Sequence, residues 1–254
     1  MADLFSFPHN YLPRISIMTK SAVITQSNYI PWRGWFEMLA QSDIWIIYDN
    51  VQFTKRDWRN RNLIRLNESP QWLTIPVVTK GKYTQLICET EVSEPEWFIG
   101  HKRKLQAAYC KFPHFADLST LLDKIGEQIG DFILLTEINT LITSKILEYL
   151  GVSIQVIDAR NFQVSGNSSE RLVRLCEEVD ADVYLTGPAA QQYLETDLFS
   201  DSGINIKWME YSQLPSDFSG KVGSGEYSIV DLIARKGTSE IREYIPSCNL
   251  HRHL

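Results

Sequence analysis

Residues 21–62 read SAVITQSNYIPWRGWFEMLAQSDIWIIYDNVQFTKRDWRNRN, and this stretch decides the fold. It begins with a short apolar run, passes through a polar turn and a helix-like segment, and continues into a second apolar run. The second run, Ile44–Tyr48, is apolar throughout, which is typical of a strand covered on both faces of a sheet. A strand, a helix and a strand in this order predict a right-handed parallel crossover.

The same alternation returns between residues 151 and 235, so we expect an α/β fold that is Rossmann-like, with a mainly parallel sheet and flanking helices. Residues 63–150 are predicted to form an insert or subdomain with a small antiparallel β excursion, including a strand at Gln85–Val92, followed by helices. The predicted organisation is an extension at 1–20, one α/β domain at 21–240 and a tail at 241–254.

The composition excludes several classes of protein. Hydrophobic residues make up 44% and charged residues 22%, as in ordinary globular chains, and the longest apolar runs are far too short to span a membrane. The first twenty residues lack the pattern of a signal peptide, so we expect a cytoplasmic protein. Four widely spaced cysteines, with no Cys-x-x-Cys pair, predict no metal site. A net charge of −6 disfavours a nucleic-acid partner.

A dense basic-aromatic loop at residues 50–65 stands out on this acidic chain. Arginine side chains fork onto phosphate oxygens, aromatic rings stack on a sugar or base, and amides between them suit neutral hydroxyls. The alternative is a solvated loop whose charges pair with one another. The candidate ligand contacts in this loop are Lys55, Arg56, Trp58, Arg59, Asn60, Arg61 and Asn62.

Two further turns follow predicted strands. The first supplies the hydrogen-bonding side chains Gln26, Asn28 and Tyr29 before a helix, and the second contains Gly187 and Pro188 at another strand-to-helix junction. Backbone amides at such junctions can hold an anion. The alternative for each turn is a helix start that binds no ligand. Because the carboxyl ends of parallel strands meet at one edge of a sheet, we expect both turns and the basic-aromatic loop to face a common ligand.

Two residues are candidates for catalysis. His101, in a helix-like run, is the preferred general base because a helix sets the direction of its side chain; His114 follows a proline in a helix-breaking segment. Asp49, directly after the second strand, is the preferred carboxylate. The alternative for the histidine is a packing role. The chain contains no Ser/His/Asp spacing, Walker loop, glycine-rich dinucleotide fingerprint or metal-ligand cluster.

Several motifs resemble the WbqC-like protein family, over about residues 20–237. The most specific is DNVQFTKRDWRNRN at residues 49–62, and others are QSNYIPWRGWF at 26–36 and YLTGPAAQQYL at 184–194. The resemblance implies a link to the biosynthesis of bacterial surface polysaccharides such as O-antigen, and a glycyl or other aminoacyl transferase role.

Together, these observations favour a transferase or ligase that attaches an aminoacyl (glycyl) or related acyl group to a nucleotide-linked amino sugar. Such a reaction requires ATP or an activated acyl donor; the sequence does not identify a cofactor. The alternative is a protein that binds a nucleotide sugar or a polysaccharide intermediate without catalysis. In both cases the partner is a phosphorylated small molecule.

Overall fold

A computed structural model describes residues 19–67, 69–211, 221–222 and 225–245; most of the predicted extension and the end of the predicted tail lie outside these ranges. The strands, β1 to β9 in chain order, are Ser21–Thr25, Ile44–Ile47, Arg61–Leu66, Ser69–Thr74, Gln155–Asp158, Val183–Thr186, Asn205–Trp208, Lys221–Val222 and Gly225–Glu226. The helices, α1 to α7, are Arg33–Ala40, Trp97–Tyr109, Phe115–Ile129, Leu135–Leu150, Ser168–Glu178, Thr196–Asp201 and Ile229–Tyr244. None of these helices has the length and apolar composition needed to cross a membrane.

Five strands form one sheet in the order β5-β2-β1-β6-β7, and every neighbouring pair is parallel. The predicted Rossmann-like α/β fold is confirmed. The chain moves outward from β1 through β2 to β5, then returns to place β6 and β7 on the other side of β1. The strand order therefore reverses between β1 and β6, the position where ligands bind in sheets of this kind.

Alternating side chains divide the sheet strands between two apolar cores. Val23 and Trp45 belong to the larger core, and Ile24 and Ile46 belong to the smaller core with the residues of α5 and α6. The larger core also contains buried residues of the inserted segment: Ile64, Leu105, Leu121 and Ile138. The segment between β2 and β5 therefore packs into one face of the sheet and shares its core.

Within this segment, β3 and β4 form the antiparallel hairpin that the sequence predicted. The predicted strand at Gln85–Val92 is wrong: its centre is a short 3-10 helix, Ile87–Glu89. Its backbone N–H groups donate to the carbonyls of Val51 (2.9 Å) and Asp49 (3.0 Å). The carbonyls of the loop after β2 thus accept the hydrogen bonds that this segment would have donated to a neighbouring strand.

Helix α7 bends at Gly237, whose φ of +68° lies in the left-handed region. A Cβ at this glycine would meet the His114 ring at 2.5 Å, so the close approach requires glycine. The helix continues beyond the bend, and Ile241 and Ile245 are buried. Helix α7 therefore ends at Tyr244, four residues beyond the predicted boundary at 240.

Candidate functional site

A cavity of about 430 Å³ lies at the carboxyl ends of β1 and β6, where the strand order reverses. We call it the crevice. Its volume falls within the range of small-molecule sites. Amides and hydroxyls make up most of its polar lining, and the side chains that contribute are Thr25, Gln26, Asn28, Tyr48, Arg59, Ser168, Tyr184, Thr186 and Tyr193.

Arg59 is the member of the basic-aromatic loop that lines the crevice. Its side chain is only 14% exposed, and its Nε lies 3.6 Å from the Asp57 carboxylate, too far for a hydrogen bond. Burial lowers the pKa of Arg59, and the nearby carboxylates of Asp57 and Asp49 oppose this effect. The buried Nε has no hydrogen-bond partner within the described part of the chain. This side chain is therefore a poorly hydrated cation with unused donor capacity, which is what an anionic ligand requires.

The turn after β1 carries a second unpartnered polar atom, on a residue that lines the crevice. The Oδ1 of Asn28 is buried and accepts no hydrogen bond from any described residue. Two residues further along, Ile30 has a φ of +36°, which a β-branched residue rarely adopts. The Asn62 amide holds this conformation by donating to the carbonyls of Tyr29 (3.1 Å) and Ile30 (3.0 Å). Strain maintained in this way is common beside functional sites.

Tyr48 lines the crevice from the residue directly after β2. The Arg171 guanidinium lies 5.0 Å from the centre of its ring. Burial raises the pKa of Tyr48, and the charge of Arg171 opposes this only in part. The hydroxyl therefore stays protonated at neutral pH and can donate a hydrogen bond. Our sequence reasoning missed Tyr48 because it ends an apolar run, although its place at a strand end is the signal that would have found it.

Asp49 is buried and lies outside the crevice lining. One carboxylate oxygen accepts from the backbone N–H of Ser27 (2.8 Å) and the other from its hydroxyl (2.6 Å). Burial raises the pKa of Asp49, and hydrogen bonds from Ser27 and Thr136 oppose the rise. In this geometry, Asp49 joins the end of β2 to the turn after β1, and both carboxylate oxygens are already used.

His101 is buried between α2 and the β3–β4 hairpin, and both ring nitrogens are engaged. Its Nε2 lies 3.0 Å from the Thr74 carbonyl oxygen, which only accepts, so Nε2 carries the hydrogen. Its Nδ1 then accepts from the Tyr29 hydroxyl at 2.8 Å. Burial lowers the pKa of His101 to about 4. The geometry does not fit the expected general base, because no ring nitrogen is free, and Tyr29 points into the protein instead of toward a ligand.

The two predicted amides of the basic-aromatic loop also bind the protein itself. Asn60 and Asn62 are buried, and the Asn60 side chain donates to the Ile75 carbonyl at 2.9 Å. Lys55 and Arg56 are exposed and do not line the crevice. Neither pair therefore contacts the cavity that Arg59 enters.

Two residues of the loop, Trp58 and Arg61, gather around Trp72 of β4. The Arg61 guanidinium lies 3.9 Å from the centre of the Trp72 ring, and the Trp58 ring lies 5.6 Å from the same indole at an angle of 42°. We call Trp58, Trp72 and Arg61 the tryptophan shelf. Its two indoles are 39% and 37% exposed.

Asn139 of α4, which the sequence did not single out, connects both crevice loops. It is fully buried, and its amide donates to the Ser27 hydroxyl (3.1 Å) and to the Arg59 carbonyl (2.8 Å). A polar residue within an apolar helix face gives no indication of such partners. The structure thus brings Gln26, Asn28, Arg59 and Gly187 together at the crevice, whereas Pro188 begins a 3-10 helix beside it. Among the described residues, no group of three or more His, Cys, Asp or Glu side chains is arranged to hold a metal ion.

The comparisons with known proteins agree with the resemblance in the motifs. A profile described as the WbqC-like protein family matches residues 26–243. The chain is also 37% identical, over 233 residues, to the uncharacterized protein Rv1507c of Mycobacterium tuberculosis (strain ATCC 25618 / H37Rv). That match covers 90% of this chain and 99% of the relative. The matched range contains the strand-end turns and the loop that form the crevice, and the chain belongs to the WbqC-like protein family.

Proposed function

We propose that the chain binds a nucleotide-linked amino sugar, with the diphosphate on Arg59 and the sugar in the crevice. The observation that carries this proposal is that Arg59, whose side chain is 14% exposed, is the one cationic side chain among the described residues that line the crevice. A buried charge without full compensation costs free energy, and a diphosphate supplies both the opposite charge and the missing acceptors.

The rest of the crevice lining supports a sugar as the neutral part of the ligand. Its side chains present amides and hydroxyls. Groups of this kind donate to and accept from the hydroxyls of a sugar. A cavity of about 430 Å³ has room for one sugar ring together with its phosphate.

Binding is tested by isothermal titration with a panel of nucleoside-diphosphate-linked amino sugars. We expect Arg59→Ala to weaken binding by roughly 10- to 100-fold, because hydrogen bonds to charged groups contribute about 1.5–3 kcal/mol. Arg103→Ala is the matched control, since it removes the same charge from an exposed helix position. Equal affinities for wild type and Arg59→Ala would contradict the proposal.

A second candidate is that the same site attaches an aminoacyl (glycyl) or related acyl group to the amine of the bound sugar. The protonated Tyr48 hydroxyl in the crevice supports it, because a fixed donor stabilises the oxyanion that develops as an amine attacks an acyl carbon. The new bond is an amide; the amine releases its proton to water, and the activating group leaves the acyl carbon with the bonding electron pair. ATP or an activated acyl donor must supply that group.

The reaction is tested by mass spectrometry after the protein is mixed with an amino sugar nucleotide, glycine and ATP, and then with preformed acyl donors. We expect a mass gain equal to the acyl group less the hydrogen it replaces, and we expect Tyr48→Phe to lower the rate while the affinity for the sugar nucleotide is retained. A lack of mass gain with every donor would contradict transfer and leave binding as the function.

A further inference from the structure

The tryptophan shelf is an exposed aromatic surface built on the outer side of the hairpin. On the inner side of β3 and β4, Ile64 and Leu73 are completely buried. Trp72 follows the opposite alternation along β4 and keeps 37% of its surface exposed, and Trp58 keeps 39%. Isolated exposed apolar residues are normal, but two adjacent exposed indoles form a patch, which is typical of an interaction site.

The shelf is continuous with the crevice along the chain. Trp58 directly precedes Arg59, so their Cα atoms lie about 3.8 Å apart. The Trp58 carbonyl accepts from the Tyr29 backbone N–H at 3.0 Å, which joins the shelf to the turn after β1. Lys55 and Arg56, in the same loop, are exposed cations, and Arg61 adds a third positive charge at the shelf itself. The surroundings of the two indoles are therefore complementary to an anionic ligand.

We infer that the tryptophan shelf is the subsite for the nucleobase of the ligand. This inference rests on the proposed function, since it takes Arg59 as the site of the diphosphate. A base has a flat π surface that stacks on an exposed indole, whereas the amides and hydroxyls of the crevice suit a sugar. The diphosphate joins these two ends of a nucleotide sugar, and Arg59 both lines the crevice and directly follows Trp58 in the chain. In this assignment the tryptophan shelf binds the base and the crevice binds the sugar.

The test compares probes with and without a base. UDP and ADP are titrated against inorganic pyrophosphate, which retains the diphosphate alone. We expect at least one nucleotide to bind roughly 5- to 100-fold more tightly than pyrophosphate, as stacking on an aromatic side chain allows. Trp58→Ala is expected to reduce this preference to about 2-fold or less with unchanged pyrophosphate affinity, and Trp58→Phe to retain part of it. Tyr83→Ala, which removes an aromatic ring that is 78% exposed, is the matched control and keeps the full preference.

Three outcomes would overturn the inference: no preference for a nucleotide in the wild type, a preference that survives Trp58→Ala, or an equal loss in Tyr83→Ala. Thermal denaturation of each variant establishes that it is folded. The proposed function fails separately, when pyrophosphate binding is insensitive to Arg59→Ala. Loss of the base preference in Trp58→Ala together with loss of pyrophosphate binding in Arg59→Ala supports both assignments.

Discussion

The polar residues around the crevice fall into two groups that differ in how their hydrogen bonds are satisfied. Asp49, Asn62 and His101 are buried, and protein groups satisfy their hydrogen-bonding side chains. Asn28 and Arg59 line the crevice, and each has a buried polar atom without a partner within the described residues. Polar residues at strand ends therefore divide into those that hold the loops and those that remain available to a ligand.

Substitutions in the two groups are expected to change the free energy of unfolding by different amounts. Removing one partner of a satisfied buried pair leaves the other partner desolvated and unpaired, which destabilises the fold. An unpartnered buried group already carries that cost in the free protein, so its removal has little effect on stability and a large effect on binding. Substitutions in the two groups separate these effects.

The largest expected effect is that of Asp49→Ala on stability. This change leaves the backbone N–H and the hydroxyl of Ser27 without their acceptor, and we expect the free energy of unfolding to fall by about 3 kcal/mol or more. Urea denaturation measures it. Asp123→Ala removes a half-exposed carboxylate paired with Lys102 and should cost less than about 1 kcal/mol. Similar losses in the two variants would contradict a structural role for Asp49.

The pH dependence of stability tests His101. Burial lowers its pKa from an ordinary 6.5 to about 4, so between these values the unfolded chain binds a proton that the folded chain does not. We expect stability to fall as the pH decreases from 6.5 toward 4, by at most about 3 kcal/mol. Denaturation between pH 7 and pH 5 should show this fall in wild type and in His114→Gln, whose histidine is 38% exposed, and a smaller fall in His101→Gln. An unchanged pH profile in His101→Gln would mean that other groups cause the fall.

Asn62→Ala is expected to have an intermediate effect. It removes both hydrogen bonds to the carbonyls of the strained turn at Tyr29 and Ile30, which should cost about 2 kcal/mol. Thermal and urea denaturation measure the loss, with Asn161→Ala as the exposed control. If the turn adopts its strained conformation independently of Asn62, the two variants will have equal stability.

The smallest expected change in stability is that of Arg59→Ala, within about 1 kcal/mol of wild type. The cost of burying the guanidinium offsets its interactions with the Asp57 and Asp49 carboxylates. The same variant is expected to lose ligand affinity. Urea denaturation of one sample should therefore show a small change, and titration of that sample should show a large one. A large loss of stability would place Arg59 with the structural group instead.

The sequence predicted the fold well because periodicity is a local property. The apolar runs at Ser21–Thr25 and Ile44–Ile47 are parallel neighbours, as expected. A short run that is apolar on both faces is typical of an interior strand of a parallel sheet. The meeting of strand-end residues at one edge follows from parallel order alone, and Gln26, Asn28, Arg59 and Gly187 do meet there. Strand pairing between distant segments was harder to predict from the sequence, as the wrong strand at Gln85–Val92 shows.

The sequence by itself determined the alternation of strands and helices, the edge where polar loops gather, and the family. Only the tertiary structure decided which polar atoms at that edge are already used. His101 meets Tyr29 across 72 positions of the chain, and Asn139 meets Ser27 across 112. A residue's type states which hydrogen bonds it can make, but its partner depends on distances in the folded chain. For this reason Asp49 and His101 looked catalytic in the sequence, and Arg59 alone among the loop cations enters the crevice.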